Sequence, residues 1–356
     1  MRVSGAASSS RGAMRRRVTL PTAPVRTLAL KGHSPIPRRQ SRVVLSERAT
    51  GNPLASNFAL DTAGPIPELR ENTCLVKNEF VSVDPAMKGW ISSAVNYASV
   101  PTDGTMFAFG VGKVVATALP GVEVGDIVTG RTGWQEYGIA DPLEPMFRKV
   151  EGVPDGHPLS CKSTRSPNHN FDIQRAPDRL RVVAAVLGVL GINGLTAYFG
   201  LHKLGRPEPG QTVLVSTAAG AVGSAVGQLA AAAGCRVVGL AGGPAKASLC
   251  TTEFGYSSCI DYKAHADDAS LEAALTEACP DGVDVFYDMV GGLTLDTVLP
   301  LLNVGGRVAI VGTAATAAWI PPPLGPRLER TVLVKRCALQ GFLVRPLRPN
   351  FTSDLP

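Results

Sequence analysis

The chain has 356 residues, 45% apolar and 18% charged, so it is long enough to bury the cores of two ordinary domains and is not disordered throughout. Its formal net charge of +6 comes from one end, because eleven of the 35 basic residues but one of the 29 acidic residues lie within the first 50 positions. The remainder has no basic stripe for a nucleic-acid backbone and no apolar run of about 18 residues for a membrane span, which excludes both partners.

The first 37 residues are rich in Arg, Ser, Ala and Pro and contain no acidic residue. This composition is typical of an organellar transit peptide, although a disordered extension or a wrongly chosen start codon would look the same. Seven cysteines, an odd number without a Cys-x-x-Cys pair, indicate a reducing compartment. We therefore predict a cytoplasmic protein, with the mitochondrion or plastid as the alternative.

Short β segments separated by turns follow over residues 38–154 and predict an all-β domain with few helices. The predicted segments are 41–45, 74–83, 110–117, 126–129 and 134–139. Residues 155–181 are polar, aperiodic and interrupted by proline, which indicates a linker or an insert.

Apolar strands alternate with helical stretches over residues 182–356. The predicted strands are 212–216, 236–241, 258–262, 283–289, 307–312 and 338–344, and the predicted helices are 221–233, 245–254, 267–278 and 293–302. Six short apolar strands with intervening helices predict an α/β fold with a doubly wound parallel sheet of the Rossmann type.

The strongest single motif is a strand that runs into a helix through small residues, Thr212-Val-Leu-Val-Ser-Thr-Ala-Ala-Gly-Ala-Val-Gly-Ser224. Ala218 and Gly220 allow a tight turn, and Gly223 allows the helix to pack closely on the strand. The N–H groups of the helix that begins near Ala221 would then hold a pyrophosphate. A glycine-rich turn of any other α/β protein is the competing interpretation, which the five further strands disfavour.

The second predicted strand ends without the acidic residue that an NAD site usually presents to the ribose hydroxyls about 20 residues after the glycine turn. The chain has Leu240-Ala-Gly-Gly-Pro-Ala-Lys246 there. No carboxylate would repel a 2′-phosphate, and Lys246 supplies a positive charge, so we predict NADP(H) as the cofactor. The alternative is that Lys246 is a solvated helix residue.

These motifs resemble a known family, the zinc-independent medium-chain dehydrogenase/reductases, in particular the prostaglandin/leukotriene reductases and the alkenal (curcumin-type) double-bond reductases. The resemblance covers about residues 39–344 and is carried, besides the glycine turn, by Val81-Ser-Val-Asp-Pro-Ala-Met-Lys-Gly-Trp90, Val124-Gly-Asp-Ile-Val-Thr-Gly130, Gly133-Trp-Gln-Glu-Tyr137, Leu187-Gly-Val-Leu-Gly191, Gly194-Leu-Thr-Ala-Tyr-Phe-Gly200, Asp261-Tyr-Lys263 and Val290-Gly-Gly292. It implies a GroES-like β domain over 38–154, a Rossmann NADP-binding domain over 182–356 and an active site between them. It also implies reduction by NADPH of the C=C bond in α,β-unsaturated aldehydes or ketones, a small-molecule conjugated carbonyl substrate, and allows a homodimer.

The resemblance further assigns roles to residues of this chain. Matched positions place Gly220, Ala221, Val222 and Gly223 at the pyrophosphate, Lys246 at the 2′-phosphate, Tyr262 at the adenosine phosphate, Met289 near the cofactor where the family has asparagine, and Gly312 with the strand segment Phe342, Leu343 and Val344 at the nicotinamide. Tyr97 is nominated as the catalytic donor on the substrate side, with a half-buried packing tyrosine as the alternative. Cys74 is the only cysteine over 38–154 and has no histidine beside it, so no metal is expected.

Two departures from the family pattern bear on activity. Ala317 stands where the family carries its catalytic tyrosine, and loss of one oriented donor commonly costs on the order of 10² to 10³ in rate. The family also continues beyond the position of Pro356, so the fold is expected to be truncated at its carboxyl end. The alternatives to an enone reductase are therefore an NADPH quinone reductase and a non-catalytic or degenerate NADP-binding protein.

Overall fold

The computed structural model of this chain describes residues 36–92, 98–144, 146–150, 185–265, 267–315 and 324–344. Most of the predicted extension, the whole predicted linker or insert, and both Tyr97 and Ala317 lie outside these residues.

Antiparallel strands form the amino-terminal half. They are β1 (Arg39–Leu45), β2 (Phe58–Pro65), β3 (Cys74–Val81), β4 (Gly110–Thr117), β5 (Ile127–Gly130), β6 (Tyr137–Ala140) and β7 (Arg148–Lys149). Strands β1 and β2 pair with each other, and the other five form a sheet in the order β6-β3-β4-β5-β7. The β character predicted for this half is confirmed.

The core of the five-stranded sheet forms because successive side chains of a strand point to opposite faces, so that alternate residues are buried. In β4, Val114 is fully buried whereas its neighbour Lys113 is exposed, and Val114 packs with Cys74, Val76 and Val128. Burial raises the pKa of the Cys74 thiol to about 12, so this cysteine is a neutral core side chain at physiological pH.

The two-residue strand β7 and two longer elements of this half were not predicted. Strand β2 contains glycine and proline and lacks a clear alternation, and it forms because β1 pairs with it along its whole length and Arg42 binds Asp61 at 2.8 Å. The short helix α1 (Met87–Ile91) buries Met87, Trp90 and Ile91 in a second core. Both elements depend on distant partners, which local propensity does not report.

A parallel sheet forms the carboxyl-terminal half. Its strands are β8 (Thr212–Val215), β9 (Arg236–Ala241), β10 (Ser258–Asp261), β11 (Val283–Asp288), β12 (Leu302–Ile310) and β13 (Ala338–Gly341). The helices are α2 (Ile192–Phe199), α3 (Ala221–Ala232), α4 (Pro244–Glu253), α5 (Asp268–Ala278), α6 (Leu293–Val298) and α7 (Glu329–Lys335), and α2 continues into a π-helix, Gly200–Gly205. Within the described ranges, no helix is long and apolar enough to cross a bilayer.

The strand order β10-β9-β8-β11-β12-β13, with every neighbouring pair parallel, is the order of dinucleotide-binding sheets. Alternate residues of the central strands enter two different cores: Val213 and Tyr287 lie in one, and Leu214 and Phe286 in the other. The first core is completed mainly by α3 and the second by α5 and α6. Because both faces are covered, the predicted doubly wound sheet is confirmed.

In the carboxyl-terminal half, three predicted boundaries are wrong by three residues or more. The helix predicted over 293–302 ends at Val298 and is followed by a 3-10 turn, Leu299–Leu301, which contains a proline. Strand β12 begins at Leu302 instead of residue 307. The glycines at 305 and 306 suggested a turn before the strand, and Gly305 does have a left-handed φ of +83°, but the strand runs through it. Strand β13 ends at Gly341, so Phe342, Leu343 and Val344 follow the strand instead of forming part of it.

Candidate active site

The predicted cofactor residues meet at one edge of the parallel sheet. Because parallel strands all end at the same edge, the turns after β8 to β13 are neighbours there. From β8 the chain passes to β9 on one side, and β11 lies on the other side, so the crevice at which a dinucleotide binds is expected between β8 and β11.

The glycine turn joins β8 to α3 by close backbone contacts. The Gly220 N–H donates to the Thr217 carbonyl at 2.8 Å, and the Ala218 N–H donates to the Leu240 carbonyl of β9 at 2.9 Å. Thr217 has a φ of +52°, a left-handed value that few non-glycine residues adopt. A Cβ on Gly223 would lie 2.3 Å from the Thr217 carbonyl oxygen, so only glycine fits this position.

Helix α3 presents its amino terminus to the crevice. It begins after Gly220, without a side-chain cap and without an acidic residue in its first turn. Ala221 is exposed and Val222 half-buried, whereas Gly223 is buried. The first N–H groups of a helix have no partner within the helix, so this turn can bind an anion such as a pyrophosphate.

The turn after β9 carries the predicted 2′-phosphate site. Lys246 is exposed in the first turn of α4, and two glycines precede this helix. A Cβ on Gly242 would lie 2.9 Å from the Tyr262 hydroxyl and 3.0 Å from the Lys263 Cε, so both side chains lie over this turn. Lys263 was not predicted, although its place directly after Tyr262 at a strand end was a usable signal.

One carboxylate lies near this turn, and it faces the backbone. The Asp261 Oδ1 accepts from the Gly243 N–H at 2.7 Å and from the Lys263 N–H at 3.1 Å. These bonds tie the carboxylate to the backbone of the turn, in which Gly243 has a φ of +101°. Lys246, Lys263 and Tyr262 thus bring two basic side chains and a phenol to this turn, a composition that suits a phosphate.

A buried carboxylate fixes the ends of β8 and β11 on the other side of the crevice. The Asp288 Oδ1 accepts from the Ser216 hydroxyl at 3.1 Å and from the Val290 N–H at 2.9 Å, and the Gly291 N–H donates to Oδ2 at 3.0 Å. The Met289 N–H donates to the Ser216 Oγ at 2.8 Å. Burial raises the pKa of Asp288, and these hydrogen bonds oppose the rise. Sequence reasoning missed this pair, whose members are 72 positions apart.

The turns after β12 and β13 complete this edge. The Gly312 N–H donates to the Asp288 carbonyl at 3.2 Å, and a Cβ on Gly312 would lie 2.8 Å from the Met289 carbonyl oxygen. The Phe342 N–H donates to the Ile310 carbonyl at 2.9 Å, and Leu343 beyond it is exposed. Met289, Gly312 and Phe342 thus lie at successive strand ends, and their roles at the cofactor stay predictions.

Asp84 lies in the segment of the chain that precedes Tyr97. Its Oδ2 atom is buried and has no hydrogen-bond partner within the described ranges. Burial raises the pKa of Asp84 above its usual value, and a hydrogen bond from Ser82 opposes the rise without cancelling it. The ionised form of Asp84 therefore destabilises the folded chain relative to the unfolded chain.

We expect Asp84→Asn to increase the free energy of unfolding at neutral pH and to change it little below pH 3.8, the usual pKa of the group. Below that pH, the carboxyl is protonated in both states; above it, the unfolded chain loses the proton more readily, which lowers the stability of the parent chain only. Denaturant titrations at both pH values measure the difference. Asp103→Asn, on an exposed turn, is the control, and a gain that is equal at both pH values would contradict the expectation.

Two family models match the chain. One, described as the N-terminal domain of oxidoreductase, matches residues 41–148, and the other, described as zinc-binding dehydrogenase, matches residues 221–353. In the part of the chain that the structure describes, no group of three or more His, Cys, Asp or Glu side chains could hold a metal ion.

The chain is also similar to individual proteins along most of its length. It is 37% identical over 316 residues to the NADPH-dependent curcumin reductase of Escherichia coli (strain K12), covering 86% of this chain and 81% of the relative. It is 33% identical over 316 residues to the 2-alkenal reductase (NADP(+)-dependent) of Nicotiana tabacum, covering 85% and 80%. The solved structure of CurA in complex with NADPH from Vibrio vulnificus matches with a TM-score of 0.69 and 35% identity, covering 85% of this chain and 82% of that one.

Proposed function

Because the chain belongs to the zinc-independent medium-chain dehydrogenase/reductases, we propose that it is an NADPH-dependent reductase of carbon–carbon double bonds conjugated to a carbonyl. Its substrates are small α,β-unsaturated aldehydes or ketones. One observation carries the proposal: every predicted cofactor residue that the structure describes follows the carboxyl end of one of six adjacent parallel strands.

The order of these residues across the sheet matches the parts of one dinucleotide. Tyr262 and Lys246, after β10 and β9, hold the adenosine and its 2′-phosphate, with Lys263 beside them. The glycine turn after β8 holds the pyrophosphate on the amino terminus of α3. The turns after β11, β12 and β13 hold the nicotinamide, and the Ser216–Asp288 hydrogen bond keeps the first of these in place.

NADPH, when bound, supplies the hydride that reduces the β carbon of the substrate. The chain itself has to bind the substrate carbonyl and donate a hydrogen bond to its oxygen, where negative charge develops. In this proposal Tyr97 is that donor, and its role is inferred from the family resemblance. Alanine at position 317, where the family carries a tyrosine, leaves the chain with fewer donors, so we expect turnover below that of relatives with the tyrosine.

The proposal is tested by mixing pure protein with NADPH and a panel of 2-alkenals, enones and quinones while the nicotinamide absorbance is followed. Loss of absorbance and recovery of the saturated carbonyl product support it, whereas turnover of quinones alone assigns the chain to quinone reduction. The alanine at position 317 also favours a second candidate, a non-catalytic NADP-binding protein. NADPH that raises the unfolding temperature without any turnover across the panel would establish that candidate.

We expect prolonged treatment with a strong metal chelator to leave the reductase rate unchanged. Cys74 is the one cysteine over residues 38–154, and it is a buried, protonated thiol that donates weakly to the Ala140 carbonyl, so it is no ligand for zinc. The rate is measured before and after dialysis against the chelator, with a zinc-dependent alcohol dehydrogenase treated in parallel. Loss of activity that added zinc restores would refute the assignment.

A further inference from the structure

Tyr256 is a buried tyrosine between α4 and β10 whose ring fills a slot beneath the glycine turn. Its side chain is 4% exposed. Glycines form the walls of the slot: a Cβ on Gly227 of α3 would lie 2.1 Å from the Tyr256 Cε2, and a Cβ on Gly239 of β9 would lie 3.0 Å from Cδ1. The ring therefore touches the strand and the helix that flank the turn.

The hydroxyl of Tyr256 reaches the glycine turn from below. It donates to the Gly223 carbonyl at 2.7 Å, and the Ala218 carbonyl oxygen lies 3.5 Å from the same Oη. Ala218 stands at the start of the turn and Gly223 in the first turn of α3. One phenol thus connects the two ends of the segment whose N–H groups face the crevice.

We propose that Tyr256 is a positioning residue, whose hydroxyl holds the glycine turn in the shape that binds the pyrophosphate of NADPH. This inference rests on the proposed NADPH-binding function and goes beyond it, because Tyr256 touches no ligand. A phenylalanine would fill the same slot, so the hydroxyl is not needed for packing. The two carbonyl groups that the hydroxyl contacts, those of Ala218 and Gly223, both belong to the segment that would bind the pyrophosphate, so the hydroxyl supports cofactor binding.

The hydroxyl of Tyr256 remains a donor across the physiological pH range. Burial raises the pKa of Tyr256 well above its usual value, and the neighbouring Cys250 and Cys259 raise it further. Both thiols belong to the same core as the tyrosine. We therefore expect the contact with the turn to persist throughout the physiological pH range.

The test compares Tyr256→Phe with Tyr287→Phe. Tyr287 is also fully buried in this core, and its hydroxyl donates at 2.7 Å to the Thr196 carbonyl, which belongs to α2 and not to the glycine turn. Each variant loses one buried hydroxyl, so we expect both to lose roughly 2–4 °C in unfolding temperature. Their ligand affinities should differ.

Three probes separate the parts of the cofactor: NADPH, ADP-ribose, which has the pyrophosphate but no 2′-phosphate, and 2′-AMP, which has the 2′-phosphate but no pyrophosphate. Tyr256→Phe should weaken NADPH and ADP-ribose by the same factor, about threefold to tenfold, and leave 2′-AMP unchanged. In steady-state kinetics the KM for NADPH should rise by that factor while kcat at saturating NADPH stays within about twofold. Tyr287→Phe should change none of the three affinities.

Equal affinities in Tyr256→Phe and the parent chain would overturn the inference while the proposed function stands. A uniform loss for all three probes, or a variant without cooperative unfolding, would also overturn it, because each assigns the hydroxyl to general stability. A parent chain that binds none of the three probes would remove the proposed function itself.

Discussion

Gly223→Ala is expected to weaken NADPH binding by about 100-fold or more, since the turn would lose two or more charge-assisted hydrogen bonds to the pyrophosphate. The added Cβ would lie 2.3 Å from the Thr217 carbonyl oxygen and 2.8 Å from the Ala218 carbonyl oxygen, and both are backbone atoms that cannot rotate away. The turn or the first residues of α3 must move. The overpacking itself should cost about 1–3 kcal/mol of stability, so the variant still folds.

The control for Gly223→Ala is Gly51→Ala. No atom lies within 4 Å of the position of a Cβ on Gly51, and its backbone is not left-handed, so the same substitution meets no obstacle there. Calorimetric titration gives the two dissociation constants, and thermal melts with and without NADPH give an independent check. A ligand at about 100 times its Kd adds about 2.7 kcal/mol of stability, which Gly223→Ala should lose. Binding by Gly223→Ala within threefold of the parent chain would show that the turn does not hold the cofactor.

The elements that sequence predicted well are those specified by neighbouring residues. Strand β8, the small residues after it and α3 follow one another without a break, and the apolar run of β8 is buried on both faces. Strands β9 and β11 are also almost wholly buried and were found for the same reason. Strand β2 and helix α1 were missed because their stability comes from other parts of the chain: β2 pairs with β1, and α1 packs against core residues such as Leu45 and Met106.

The residues of the candidate site also divide into those that neighbouring sequence predicts and those that only distant partners explain. Gly220, Gly223 and Lys246 were predicted because glycine at a strand–helix turn and a lysine after the next strand are local signals. Tyr256 and the Ser216–Asp288 pair were not predicted, since a buried tyrosine or aspartate at a strand end has no distinctive pattern until its partners are known. Their hydrogen bonds span 33 and 72 positions. Such supporting residues come from topology, which brings distant strand ends together.

Lys246→Glu is expected to reverse the preference between cofactors, by about a thousandfold in the ratio of the two Kd values. Loss of a charge-assisted hydrogen bond to the 2′-phosphate should account for about 10- to 100-fold of weaker NADPH binding. The new carboxylate adds repulsion of the phosphate and can accept a hydrogen bond from the 2′-hydroxyl of NADH, as acidic residues do in NAD sites. Affinity for NADH should therefore hold or improve.

The position of Lys246 in α4 adds an expectation about the stability of the variant without ligand. A lysine in the first turn of a helix faces the positive end of the helix dipole, which is unfavourable by about 0.3–1 kcal/mol unless an anion binds there. We therefore expect Lys246→Glu without ligand to be at least as stable as the parent chain. Improved stability together with lost NADPH binding would separate a ligand contact from a structural role.

Lys203→Glu serves as the control, because it reverses another exposed charge, in the π-helix that precedes β8. Lys246→Ala is the intermediate case. Titrations with NADPH and NADH at low and high salt give four Kd values for each variant. High salt should reduce the difference in Kd between the parent chain and Lys246→Glu, because the charges involved are exposed and salt screens them. Lys263 remains beside the turn in Lys246→Ala, so that variant should keep part of its preference for NADPH. Equal losses for NADPH and NADH in Lys246→Glu would mean that the lysine does not recognise the phosphate, and the choice of cofactor would then need another explanation than the charge at this turn.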